Sequence, residues 1–225
     1  MKLRSKIIGL IAAGAAALTV LAASPAGAMG TATVSVVHGI PGALVNVCVD
    51  GSSVADNFAY TNTIQGAVLP AGSHDVKLVA AGSPCSSAAI LSASYDLTAG
   101  VNYTIVANLN DSGAPNLLAF TNNVRKVDAG NARLTIRHTA DAPAVNVYAN
   151  GAQLIDGKKF TWSKSRTFVV PKGAYRAKVT LPDSKTAVIG PAKVTLDCGY
   201  AYQVYAVGSS STYALVVVST NVDTK

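Results

Sequence analysis

His38-Gly-Ile-Pro-Gly-Ala-Leu-Val-Asn-Val-Cys-Val-Asp-Gly51 aligns without a gap on His138-Thr-Ala-Asp-Ala-Pro-Ala-Val-Asn-Val-Tyr-Ala-Asn-Gly151. Two further landmarks follow in the same order. Pro70-Ala-Gly72 matches Pro171-Lys-Gly173, and Leu97-Thr-Ala-Gly-Val-Asn-Tyr103 matches Leu196-Asp-Cys-Gly-Tyr-Ala-Tyr202. The offset moves only from 100 to 101 to 99. A period of that length is too long for a solenoid repeat and right for a whole domain. The chain therefore reads as two copies of one domain, residues 30–124 and 128–225, preceded by a segment of another kind over residues 1–28.

Each copy carries strand signals. Ala132-Arg-Leu-Thr-Ile-Arg-His138 alternates polar and apolar residues, as does most of Ala174-Tyr-Arg-Ala-Lys-Val-Thr-Leu181. Asp50-Gly51 and Asn150-Gly151 are hairpin turn pairs, and the Pro-x-Gly triplets are a second turn. No segment after residue 28 holds a helical period over three turns. Strands are expected near 32–38, 44–50, 63–69, 74–80, 88–96, 101–109 and 115–121. The second copy is expected to repeat them near 132–138, 144–149, 164–170, 174–180, 186–196, 200–207 and 213–219. This spacing predicts an all-β chain of two tandem immunoglobulin-like β-sandwich domains. A small barrel is the other architecture of that strand count. The joint, residues 122–131, is short and polar, and predicts two beads with limited freedom.

Residues 1–28 have the three regions of a secretory signal peptide. Lys2, Arg4 and Lys6 precede an apolar run from Ile7 to Ala23, and Ala26-Gly-Ala28 is a small-x-small cleavage site. The mature chain is expected to begin near Met29, to carry no transmembrane anchor, and to be secreted, extracellular or loosely associated with the cell wall. An oxidising compartment suits the cysteines. Cys48 and Cys85 both lie in the first repeat, and neither has a cysteine counterpart in the second. They are present together and absent together, which predicts a Cys48–Cys85 disulfide. Cys198 is left over.

The two halves differ in charge. From Met29 to Asn123 there are five Asp against Lys77 alone, a net −4. From Val124 to Lys225 there are fourteen Lys and Arg against six Asp, a net +8, and Glu is absent from the whole chain. A basic half on an exported protein suits anionic cell-wall polymers or glycans better than nucleic acid. The candidate ligand surface is Trp162 with Lys158, Lys159, Lys164 and Arg166, since cations beside an aromatic ring suit anionic glycans. Phe58-x-Tyr60 and Phe160-x-Trp162 recur in both copies, which favours packing for those pairs. Tyr200 and Tyr202 share a strand face and Tyr205 takes the other.

Catalytic signals are absent. The chain has no Gly-x-Ser-x-Gly and no His-Glu-x-x-His, and its Asp residues sit mostly in turns. His38 and His138 hold one repeat position. They are expected to bond loop carbonyls where the first strand ends; His138 with Asp141 would be too few ligands for a metal. His74 has no counterpart and is expected to be exposed. The reading is non-enzymatic, with no cofactor, metal or catalytic residue. It is a binding or spacer module at the cell surface, with a secreted hydrolase or a self-assembling envelope protein as alternatives. No oligomeric state follows from these patterns.

The His138–Gly151 run, the Pro-x-Gly turn and the Leu-x-x-Gly-x-x-Tyr motif together resemble the bacterial domain-of-unknown-function family numbered 4397. The resemblance spans nearly the whole mature chain. The second repeat carries the opening motif more fully, because the first lacks an Asp matching Asp141. The resemblance implies a β-sandwich, export and tandem occurrence, and the Cys48–Cys85 pattern also looks like members of that family. It supplies no catalytic residue.

Overall fold

The computed structural model describes residues 30–223. The expected signal peptide, 1–28, lies outside the described residues. The first repeat contains β1 (Thr31–His38), β2 (Val45–Val49), β3 (Ser52–Phe58), β4 (Thr63–Pro70), β5 (Gly72–Ala80), β6 (Leu91–Leu97), β7 (Asn102–Leu109) and β8 (Pro115–Asn122). The second contains β9 (Asn131–His138), β10 (Asn146–Ala149), β11 (Ala152–Ile155), β12 (Ser165–Pro171), β13 (Gly173–Thr180), β14 (Ala187–Leu196), β15 (Tyr200–Val207) and β16 (Ala214–Asn221). Short 3-10 turns cover Gly157–Lys159 and Ser210–Thr212.

Strand order repeats with the sequence. The first repeat forms sheets β4-β1-β7-β8 and β3-β2-β5-β6; the second forms β12-β9-β15-β16 and β11-β10-β13-β14. All neighbours are antiparallel except β1 with β7 and β9 with β15, which are parallel. The sandwich expected from the sequence is present, but with eight strands per repeat rather than seven. The strands missing from the sequence reading are β3 and β11, the second arms of the Asp50-Gly51 and Asn150-Gly151 hairpins. In each turn both residues take positive φ, 50° and 79° in the first, 50° and 85° in the second, the geometry that matches strand twist in a two-residue hairpin. Both strands are sheet edges and largely exposed. With residues of both faces exposed they need no apolar alternation, so the period-2 signal is missing.

The first-repeat core gathers Val36, Val45, Val47, Phe58 and Leu78, with Val34, Val76, Leu97 and Ile105 beside them. The second-repeat core gathers Leu134, Ile136, Val147, Phe160, Leu196 and Val204. Burying each such side chain fully contributes about 1.5–3 kcal/mol. A third cluster belongs to neither repeat alone. Val37 and Val106 of the first pack on Tyr205, Val207, Val216 and Val218 of the second. Val36 therefore faces its own core and Val37 faces the other repeat. Sheets β4-β1-β7-β8 and β12-β9-β15-β16 are both covered on two faces, and the chain is a stack of four sheets.

The contact is reciprocal. Tyr60 donates its hydroxyl to the Thr212 carbonyl, and its counterpart Trp162 donates Nε1–H to the Leu109 carbonyl at 3.1 Å. Gly208 N–H reaches the Gly39 carbonyl at 3.2 Å, while Asn108 Nδ2 reaches the Thr139 carbonyl at 3.3 Å. Positions 39 and 139 are equivalent, as are 60 and 162, so each repeat offers the same patch to the other. This is the logic of a self-complementary dimer interface built into one chain. The linker is also docked. Val127 is buried against Ala201 and Val222, and Arg133 donates to the Asn123, Arg125 and Lys126 carbonyls. The expected beads with limited freedom are thus corrected to joined repeats. Three of the linker's backbone carbonyls are met by one arginine.

The disulfide is formed between Cys48 and Cys85, with Cα atoms 5.8 Å apart. It fastens the β5–β6 loop over the outer face of β3-β2-β5-β6, where Asn46 Nδ2 bonds the Ser83 carbonyl at 3.1 Å and Lys77 Nζ the Cys85 carbonyl at 2.8 Å. In the second repeat Asn146 makes the matching bond to the Pro182 carbonyl, and Tyr148 replaces Cys48 under the Lys178 ammonium, 4.8 Å from its ring centre.

His74 is buried, not exposed as expected. Its Nδ1 meets Asp50 Oδ2 at 2.6 Å and its Nε2 the Pro70 carbonyl at 2.9 Å. Tyr175 holds the same place in the second repeat, donating its hydroxyl to the Pro171 carbonyl at 2.6 Å. Hydrogen bonding to Asp50, then to Pro70, raises the His74 pKa. That contribution is complete below the unfolded value of about 6.5 and is lost as pH rises through the higher folded value. Asp50 is held below the usual carboxylate range by the Asp75 N–H and then by His74, so its contribution is lost as pH falls. His74→Tyr, which copies the second repeat, is expected to keep the corner and remove the alkaline loss. Urea midpoints at about pH 5.5 and about pH 8.5 check this: the drop between them should be smaller in the variant than in the parent.

Candidate functional site

His38 and His138 are fully buried structural groups. Nε2 of each meets a loop carbonyl, Ala43 at 3.1 Å and Pro143 at 2.9 Å, so each Nε2 carries the proton. His38 Nδ1 accepts the Ile40 N–H at 3.3 Å. Burial pushes both imidazoles down in pKa, against the upward pull of the carbonyls, and they stay neutral. Phe58 stacks on His38 and Phe160 packs edge-on to His138. Asp141 is placed elsewhere, bridging by backbone to Ser209. Among the described residues no group of three or more His, Cys, Asp or Glu is placed to hold a metal.

The tyrosines divide as strand alternation requires. Tyr200 and Tyr202 pack into the second-repeat core, with Tyr202 Oη accepting the Asp197 N–H at 2.9 Å. Tyr205 turns to the repeat interface, where its hydroxyl accepts from Arg137.

The surface with ligand chemistry lies on the β11/β12 edge of the second repeat. β11 and β12 are edge strands of its two sheets, and the 3-10 turn Gly157–Lys159 belongs to the segment between them. Asp156 caps this turn by accepting the Lys158 N–H at 3.1 Å. Gly157 N–H bonds Asn146 Oδ1 at 2.7 Å, and a Cβ there would stand 2.7 Å from the Val145 carbonyl carbon. Only glycine lets the turn lie this close to β10. Phe160 then plunges into the core, which leaves Lys158 and Lys159 exposed on the turn.

Lys158, Lys159 and Arg166 line one groove of about 370 Å³ with Leu154, Ile155, Asp156 and Phe168. The Arg166 guanidinium lies 6.0 Å from the Phe160 ring centre. Three cations therefore face one acid over an apolar floor. An anion can be held there by charge and by N–H donors, and an apolar portion can rest on Leu154 and Phe168.

The structure brings together three of the five residues expected here. Lys164 is exposed at the entry to β12 but outside the groove lining. Trp162 is turned the other way, half-buried with its Nε1–H bonded to the first repeat. It joins the repeats through that bond and lies outside the groove lining. Leu154 and Phe168 were not anticipated; their signal is that each is an apolar residue on an edge strand, beside a cation in space.

A family model described as a domain of unknown function, DUF4397, matches residues 32–148 and 139–225. No curated protein matches the chain. Among solved structures the chain is similar to the Bacillus anthracis TIE protein at 13% identity and a TM-score of 0.25, covering 86% of this chain and 32% of that one. The chain thus spans about a third of that protein's length.

Proposed function

We propose, for a chain that belongs to the DUF4397 family in two tandem copies, that it is a secreted, non-catalytic binding module whose second repeat holds an anionic polymer of the cell envelope. The observation that carries this reading is the groove in which Lys158, Lys159 and Arg166 converge with Asp156 as the single acid. The first repeat then serves as a rigid spacer locked to the second. A disulfide suits export, and among the described residues no helix is long and apolar enough to cross a membrane. His38 and His138 are buried, neutral and committed to loop carbonyls, and this favours a structural role over proton transfer.

Retention on purified cell-wall fragments tests the reading. The parent is expected to sediment with the fragments at about 0.1 M salt and to be released at about 1 M, where the Debye length falls to about 3 Å. Reversing Lys158, Lys159 and Arg166 to Asp should abolish retention while leaving the melting curve in place, because exposed substitutions cost little stability. Reversing Lys126 and Lys185, which lie outside the groove, should leave most of it. Retention that ignores both salt and the groove reversal would overturn the proposal.

A further inference from the structure

A second cavity lies behind that groove. It holds about 80 Å³ between the two sheets of the second repeat and is lined by apolar residues, Leu134, Val147, Leu154, Phe160, Val194 and Leu215 among them. Protein interiors rarely leave such space, and an unfilled void destabilises in proportion to its volume. A lining without polar atoms does not hold water, which needs two or more polar partners.

Two residues stand between the cavity and the cationic groove. Leu154 lines both the cavity and the cationic groove. Phe160 lines the cavity and has the Arg166 guanidinium near its ring. The groove lies where β11 and β12 end their sheets, and among the described residues no further strand pairs with either along that edge. The groove's cations and apolar floor lie on one side of Leu154 and the dry apolar chamber on the other, so charged and oily surfaces follow one another across a single side chain. That succession matches a molecule with the same polarity order.

We propose that the second repeat binds a single-chain amphiphile, its anionic headgroup on Lys158, Lys159 and Arg166 and its acyl chain passing Leu154 into the cavity between the sheets. The inference rests on the cationic groove of the preceding reading and deepens it: the envelope anion that is held carries an acyl chain. The chamber takes the end of the chain, and Leu154 and Phe168 cover the part in the groove.

The test uses the chain from residue 30 onward and calorimetric titration with decanoate, decanol and decyltrimethylammonium, each below its micellar concentration. Decanoate is expected to bind one site, about tenfold more tightly than decanol, the difference being the charge-assisted contacts. Decyltrimethylammonium should not bind. Ala177→Leu, and separately Ala149→Leu, place a larger side chain at the cavity wall. Each is expected to abolish decanoate binding, and an unlowered melting temperature in either shows that the fold is kept. Arg166→Gln with Lys159→Gln should bring decanoate down to the affinity of decanol.

Decanoate binding that is unchanged in a folded cavity-filled variant overturns the acyl-chain assignment. So does equal binding of all three amphiphiles, or association only with phosphatidylglycerol vesicles and not with monomeric decanoate. The two readings fail separately. Wall retention that persists in Ala177→Leu while decanoate binding ignores the cavity sinks this inference alone. Decanoate binding that needs the cavity, without wall retention, sinks the polymer reading alone.

Discussion

Replacing Cys48 and Cys85 by Ala is expected to lower the unfolding free energy by about 4 kcal/mol, the chain-entropy value for a closed loop of this length. The bridge spans 37 residues, from the buried β2 to the loop after β5. Its effect falls mainly on the unfolded chain, which regains the freedom the loop had lost. In the folded state the strap keeps the Asn46 and Lys77 bonds, so the native contacts change little. A loss of that size is a large share of the 5–15 kcal/mol typical of a folded domain. Urea denaturation of the double variant, with the parent in reductant beside it, measures the effect. A midpoint within error of the oxidised parent would show that the strap is held by its hydrogen bonds alone.

Arg137→Ala is expected to cost about 2–5 kcal/mol, from the void it leaves and the buried polar partners it strands. Arg137 is buried on β9, with Nη1 at 2.7 Å from Asn122 Oδ1 and 2.5 Å from Tyr205 Oη, and Nη2 at 3.0 Å from the Thr121 carbonyl. Its guanidinium also lies 4.4 Å from the Phe120 ring centre. Asn122, Thr121 and Phe120 belong to the first repeat, Tyr205 to the second, so one side chain ties both. Among the described residues no carboxylate meets it, and burial pushes its pKa down. Alanine would leave a void and strand the Asn122 and Tyr205 groups. Arg137→Met, which fills the stem without the charge, should cost less, since the equivalent position in the first repeat is Val37. Chemical denaturation of the two variants separates the cases. Equal losses for Ala and Met would place the energy in the guanidinium contacts rather than in packing.

The amino-acid sequence discloses the parts of this molecule that repeat or that involve near neighbours. The His38 and His138 runs set the duplication, the Asp-Gly and Asn-Gly pairs set the hairpins, and the paired presence of Cys48 and Cys85 sets the disulfide. Features that depend on a distant partner of a common residue type stay hidden, unlike a pair of scarce cysteines. His74 reads as exposed because its partner Asp50 is 24 residues away and is one of several Asp in turns. The repeat interface had one legible sign. Val36-Val37 in β1 puts an apolar residue on each strand face, as a strand covered on two sides requires. Its counterpart Leu134-Thr-Ile-Arg-His138 conceals the sign, because Arg137 there carries a charge into the buried face. Of the candidate site, the cations were legible as a basic cluster. Trp162 reads in sequence as the aromatic ring beside them, and only its bond to Leu109 shows that it faces the other repeat.

Trp162 also offers the most direct test of the joined architecture, as the chain's single tryptophan sits at the repeat interface. Urea unfolding of the chain from residue 30 onward should be followed at once by Trp162 fluorescence and by far-ultraviolet circular dichroism. Two repeats locked through Val37, Val106, Tyr205 and Val207 are expected to unfold in a single transition, coincident in both signals. Two separated transitions, with Trp162 emission already at its unfolded value while half of the strand signal remains, would contradict it and return the repeats to independent beads.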